Sequence, residues 1–329
     1  MKSKTPLILL GIIMTVGTVG LLSWLEDSEA KATKSDISPT DMKVEYWRET
    51  IGEHGGVVAY KMFADTYSSF DYNQQHTYAH EFGEALYNIE GVPGVTVCDS
   101  RFGFGCYHSF FGFALLGNGL PIISELDEAC IAVYGEKGLG CQHGIGHGVL
   151  AELGYDELTK SLEACRTLDW QGPIGGCTSG VFMEYNFSTM SDVQDTRQPE
   201  AGDEYYPCTA VSEQFQEGCY FEQPAWWIAR SDHDYGWTGD LCEELTGVSN
   251  KEACYRGAGN VIAGTNGYTI PEIQLACSEM PNEEGEMLCI EGATWIVSAQ
   301  PQFEDVWRDL CEPFSGEYYD RCIASQDFI

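Results

Sequence analysis

Apolar residues recur along much of this chain at the three- and four-residue intervals that gather them on one side of a helix. The runs Leu126-Asp127-Glu128-Ala129, Leu162-Glu163-Ala164, Gln274-Leu275-Ala276 and Asp309-Leu310 read as the last turns of such helices, and each runs into a cysteine. A second cysteine follows 8 to 12 positions later and opens a run of small and apolar residues, as in Cys141-Gln142-His143-Gly144, Cys177-Thr178-Ser179-Gly180, Cys254-Tyr255-Arg256-Gly257 and Cys289-Ile290-Glu291-Gly292. These runs predict a second helix. Its glycine, three residues after the cysteine, permits close approach of a neighbouring helix at about 1 kcal/mol of helix propensity relative to alanine. Thr269-Ile270-Pro271-Glu272 reads as a capping box with proline near the helix start.

The cysteines turn this local pattern into a long-range one. They fall as Cys98 and Cys106, Cys130 and Cys141, Cys165 and Cys177, Cys208 and Cys219, Cys242 and Cys254, Cys277 and Cys289, Cys311 and Cys322. The first members are 32, 35, 43, 34, 35 and 34 residues apart, the period of a helical-hairpin repeat. The repeat selects pairing within each unit, and a bridge closing about ten residues contributes about 2–4 kcal/mol in the chain-entropy picture. The expected fold is therefore all-α: an α-solenoid of seven disulfide-bridged helical hairpins over residues 98–329, preceded by capping helices over 43–97. This architecture resembles Sel1-like and tetratricopeptide helical repeats with added disulfides. The resemblance is one of architecture alone. The tetratricopeptide pattern of Trp, Leu-Gly and Tyr at fixed offsets does not occur, so no functional residue carries over.

The longest spacing, from Cys165 to Cys208, absorbs an acidic, polar insertion near 188–206 that reads as an exposed loop, with the glycosylation sequon Asn186-Phe187-Ser188 at its base. Trp226, Trp227, Trp295 and Trp307 are expected to fill the core between helices, and Asp232-His233-Asp234 to lie in a surface loop.

Composition adds a compartment and removes a class of partner. With 51 acidic against 17 basic residues in 329, the formal charge is −34. Such a surface repels phosphate, which excludes nucleic acid as a partner and disfavours anionic lipid surfaces. Residues 6–25 carry no formal charge, follow Lys2 and Lys4, and precede Glu26, Asp27 and Glu29. That length suits a transmembrane signal-anchor; cleavage near Ser28-Glu29-Ala30 is the alternative. Residues 26–42 then form a polar tether. Either reading places the remainder outside the cytoplasm, in the periplasm or at the cell surface, where disulfides persist.

The candidate chemistry lies in the histidines, five of whose seven fall between positions 76 and 147. His143 and His147 are four apart in one helix, as are His76 and His80; His108 sits two residues after Cys106, just as His143 sits two after Cys141. Imidazoles on neighbouring helices can converge on one ion, and bridged cysteines leave imidazole as the main strong ligand. His76, His80 and Glu84 are read as two histidines and one carboxylate, with His108, His143 and His147 as a second set or as partners in a dinuclear centre. Copper or zinc is the favoured ion, with iron admitted by the carboxylate. Glu84, Glu152 and Glu184 are candidate general bases beside a metal-bound water. His80-Glu81-Phe82-Gly83-Glu84 stops short of the H-E-x-x-H of zinc peptidases, and no haem-attachment, nucleophilic-serine or phosphate-loop motif occurs. Later units carry Ser179, Phe221, Arg256 and Glu291 where the early ones carry histidine, so the C-terminal half reads as scaffold. The competing reading is an extracytoplasmic interaction scaffold, with structural histidines and a protein partner on the solenoid surface.

Overall fold

The computed structural model describes residues 38–135, 139–168, 174–190, 196–300 and 303–327. The membrane segment expected over 1–25 and most of the tether lie outside the described residues. Among those described, no helix is long and apolar enough to cross a membrane. The chain divides into two compact units, Met1–Met42 and Lys43–Ile329. In the first, the described residues include the 3₁₀ turn Pro39–Asp41. The second holds the disulfides and is helical throughout, without a β-strand among the described residues.

Its elements are α1 (Val44–His54), α2 (Gly56–Tyr67), α3 (Tyr72–Glu90), α4 (Gly105–Asn118), α5 (Ile123–Tyr134), α6 (Leu139–Leu153), α7 (Leu158–Cys165), α8 (Cys177–Phe187), α9 (Glu213–Arg230), α10 (Tyr235–Glu244), α11 (Val248–Thr265), α12 (Ile270–Cys277), α13 (Glu283–Ser298) and α14 (Glu317–Ala324). Local chemistry sets several starts. Asp71 caps α3 by accepting from the Gln74 amide at 3.1 Å, and Asn282 caps α13 by accepting from Gly285 at 2.9 Å. Asp234, in the loop read as exposed, caps α10 by accepting from Trp237 at 2.8 Å. The capping box expected at α12 does not form: Thr269 makes no side-chain cap hydrogen bond, and the fixed φ of Pro271 starts that helix instead.

All seven disulfides join consecutive cysteines. The first member of the pair lies on an α-helix in four units, at α5, α7, α10 and α12. In the others, Cys98 follows the 3₁₀ segment Val92–Val97, Cys208 lies in a run of turns, and Cys311 ends the 3₁₀ segment Trp307–Cys311. Pro93 and Gly94 in the first case, and Pro199, Gly202 and Pro207 in the fourth unit, break the α-helical pattern.

The second helices pack in chain order: α3 on α4, α4 on α6, α6 on α8, α8 on α9, α9 on α11, α11 on α13. Glycine sets their spacing. A β-carbon on Gly83, Gly146 or Gly259 would stand 2.2, 2.0 or 1.7 Å from the carbonyl oxygen of Cys106, Cys177 or Cys289 on the next helix. One on Gly180, Gly257 or Gly292 would stand 1.9 Å from the carbonyl of His143, Phe221 or Arg256 on the helix before. The four glycines of α6 thus leave its helix unbroken; Gly144 and Gly148 make room for Phe111 and Leu115 of α4. The α8–α9 contact departs from the rule, because Phe182 and Glu222 stand where the other interfaces have glycine. There the Ser179 hydroxyl donates to Glu222 Oε1 at 2.5 Å.

Two contacts reach further. Ser100 Oγ donates to the Ala299 carbonyl at 3.0 Å, tying the loop before α4 to the end of α13. The insertion after α8, expected to be exposed, is exposed at 198–202 but pinned by Arg197, whose guanidinium lies 3.6 Å over the Trp226 ring and donates to Asn186 Oδ1 at 2.7 Å. Asn186 is itself buried and donates to the Glu222 carbonyl at 3.2 Å, so the sequon is closed to modification in the folded chain. Trp226, Trp227 and Trp307 are core residues as expected; Trp295 is only partly buried.

Candidate metal centre

Gly83 brings α3 against the start of α4 and so determines which α3 side chains face it. His76, His80 and Gly83 share that side. Each four-residue step advances about 40° around a helix, so Glu84 lies about 80° from His76. It stands outside the histidine group, and its charged neighbours are Arg48 and Glu81. Burial raises the Glu84 carboxyl and Arg48 opposes the rise.

His76, His80 and His108 each offer a ring nitrogen, and the three atoms lie within 4.8 Å of one another. The cluster does not end there. The His108 and His147 rings are 4.6 Å apart between centroids, and His147 Nε2 lies 3.0 Å from His143 Nε2. All five histidines singled out in the sequence therefore form one contiguous group across α3, α4 and α6.

The two four-residue pairs have the same construction. His76 Nε2 and His80 Nε2 are 3.1 Å apart, and His76 Nδ1 donates to the Phe102 carbonyl at 2.9 Å. His147 Nδ1 donates to Glu184 Oε2, also at 2.9 Å. In each pair one imidazole is fixed through Nδ1, which leaves its Nε2 lone pair aimed at the partner nitrogen, the tautomer control that second-shell acceptors give metal-ligating histidines. Two nitrogens bound at about 2.05 Å to one ion stand about 2.9 Å apart at a right angle and about 3.3 Å at the tetrahedral angle. Both observed separations fall in that interval.

The second shell is elaborate. Glu184, buried on α8, accepts from Tyr155 and Thr189 at 2.5 Å and from the Met190 amide at 2.9 Å besides His147. Burial pushes this carboxyl up, but the hydrogen bonds from His147, Thr189 and Tyr155 outweigh it and hold Glu184 below the usual range. An ionised group with this many donors orients His147 and is no general base; Glu152 is exposed. At the other pair, the Phe102 carbonyl is presented by a strained turn: Phe102, Gly103 and Phe104 have φ of 58°, 60° and 63°. Left-handed phenylalanine costs about 1–3 kcal/mol per residue. The turn is held by the Cys98–Cys106 disulfide and by Asp99, which accepts from the Arg101 amide at 3.0 Å and from the Tyr60 hydroxyl at 2.7 Å. Glu184 reads in the sequence as a candidate base and not as the partner of His147, and no motif marks this turn.

Burial governs the charge of the ligands. Desolvation lowers His76, brings His80 down to about 3, and holds His108 and His143 well below the range of a free imidazole. They are neutral at pH 7, the form that donates a lone pair to a metal. His108 Nδ1 is buried without a hydrogen-bond partner. His76, His108 and His143 also line a cavity of about 690 Å³.

Fold and site together define an all-helical, disulfide-ribbed protein with a cluster of five buried and half-buried histidines. Comparison of the chain with protein families, with curated proteins and with solved structures finds no match.

Proposed function

We propose that this protein binds a transition metal ion through His76, His80 and His108, with His143 and His147 as a second pair reached through His108. Copper and zinc suit a site built of neutral imidazoles, and iron remains compatible with it. The observation that carries this reading is the convergence of ring nitrogens of His76, His80 and His108, together with a buried His108 Nδ1 that finds no partner among the described residues. A purely structural histidine would have its nitrogens satisfied. The site is placed for turnover, redox or hydrolytic, because three of its histidines open onto a cavity rather than being sealed on every side.

The seven disulfides suggest an extracellular or secreted protein. The uncharged stretch 6–25 supports export, as anchor or as removed signal. The ordered packing of successive helices supports an α-solenoid whose row curves enough for Ser100 to meet Ala299.

Elemental analysis of the purified, oxidised chain tests the metal reading. The wild type is expected to hold metal in stoichiometric amount after loading with zinc or copper, and the variants H76A/H80A and H143A/H147A to lose part or all of it. A wild type that retains no metal above the level of both variants sinks the proposal.

A further inference from the structure

The cavity beside the histidines has a second wall drawn from the other half of the chain. His76, His108 and His143 line one part; Phe221, Val261, Tyr268, Trp295 and Ile296 line another. At about 690 Å³ it falls within the roughly 300–1,000 Å³ of small-molecule sites. Trp295, partly buried and packed against Phe221 at 5.4 Å between ring centroids, presents aromatic surface to the space. A large aromatic lining a cavity of this size offers a stacking face.

The charges on this lining are selective. Among the described residues, no lysine or arginine lines the cavity. Of its two carboxyl residues, Asp99 is engaged by Arg101 Nε at 2.8 Å and by the Tyr60 hydroxyl. The other, Glu222, is buried, and one of its oxygens takes the Ser179 hydroxyl. Burial pushes Glu222 up to about 8, so at neutral pH it is an uncharged hydrogen-bonding group. Along the described lining an anion finds no counter-charge and a cation finds no free carboxylate. A neutral molecule with an apolar ring and one hydrogen-bonding end matches both walls.

We infer that this cavity binds a neutral aromatic small molecule, its ring against Trp295 and Phe221 and its polar end toward the histidines. Its service as substrate or ligand of the metal rests on the metal reading above; its occupancy does not.

The test uses 2-naphthol, a fluorescent aromatic alcohol uncharged at pH 7, titrated into the oxidised chain after removal of metal with a chelator. Saturable binding at one site per chain is expected. Naphthalene-2-sulfonate and 2-naphthylmethylammonium, the same ring with either charge, are expected to bind at least about tenfold more weakly. Two variants fill the cavity. A β-carbon added at Gly264 has no heavy atom within 4 Å to meet, and Gly264 and Val261 both line the space, so Gly264→Trp and Val261→Trp should each weaken naphthol binding at least about tenfold. Circular dichroism and melting temperature check that the variants fold. Absence of saturable binding by the wild type overturns the inference. So does equal affinity for the sulfonate or the ammonium, or unchanged naphthol affinity in a folded variant. Should neither variant fold, the charged analogues decide the matter on the wild type alone. A chain that holds metal but not naphthol overturns this inference and leaves the metal reading standing; one that binds naphthol but never metal does the reverse.

Discussion

The position two residues after the second cysteine of each unit recurs along the helix row, and its two halves use it for opposite ends. The glycine contacts set the register: Gly83 meets Cys106 as Gly146 meets Cys177 and Gly259 meets Cys289, so His80 is the α3 counterpart of His108 and His143. In the N-terminal half the slot is thus histidine three times over. In the C-terminal half it holds Phe221, Arg256 and Glu291, and the charges of the last two close on each other. Arg256 Nε donates to Glu291 Oε2 at 3.0 Å, Arg256 Nη1 to Glu252 at 3.0 Å, and Arg321 pairs with Glu291 Oε1 at 3.2 Å. One half therefore gathers lone pairs without a cation, and the other gathers cations with their own carboxylates. Backbone position alone does not define a site. What defines it is whether the side chains at that position satisfy one another.

Acid should separate the halves most strongly. Unfolded histidines charge as the pH falls through about 6.5, whereas burial keeps His76, His80, His108 and His143 neutral in the fold. The contribution of these histidines should be fully present above that pH. The metal-free chain should lose about 1.4 kcal/mol per pH unit for each such histidine as the pH falls further. Glu222, raised to about 8, works the other way for one proton. Denaturant midpoints against pH will show this, and H76A/H80A should flatten the fall; an equal slope in that variant breaks the comparison.

Next come the features both halves share. Gly146→Ala and Gly259→Ala each drive a β-carbon into the neighbouring helix backbone and should cost about 3 kcal/mol. A large difference between them, measured by urea unfolding, would mean the two halves are not built on one lock. Glu291→Ala leaves Arg256 and Arg321 without their buried partner and should cost about 2–3 kcal/mol, less than full burial implies because Arg321 reaches solvent. Smallest is His108→Leu. It removes a buried nitrogen with no partner, so the metal-free chain should change by under about 1 kcal/mol while metal binding is lost. A loss above about 3 kcal/mol in the metal-free chain would mark His108 as structural.

Much of the fold was legible because the cysteines carry their own period, and the pairing they imply is the pairing found. Their ruler stops at Cys98, however. Without it, His76 and His80 match His143 and His147 by spacing alone, and this places α3 one helical turn out of register. Gly83 was the available signal, since it repeats the place of Gly146 and Gly259. The grouping of the five histidines was legible from helix periodicity. Glu84 was not correctly placed, because repeated steps of four drift around a helix. Glu184 reads as a candidate base and not as the partner of His147, which it reaches from another unit, and the Phe102 carbonyl could not be read at all, because it depends on a backbone conformation that phenylalanine rarely adopts. The cavity combines residues from both ends of the row, a closure that local spacing does not encode.

The pairing of each cysteine with the next has a consequence for how the chain matures. Each bridge spans 8 to 12 residues, so its two sulfurs emerge together from a chain delivered N-terminus first. Oxidising thiols strictly in order of appearance yields the native set, with no shuffling step. The three histidine helices lie in the first half of the chain, so the ligands are assembled before the far wall of the cavity exists.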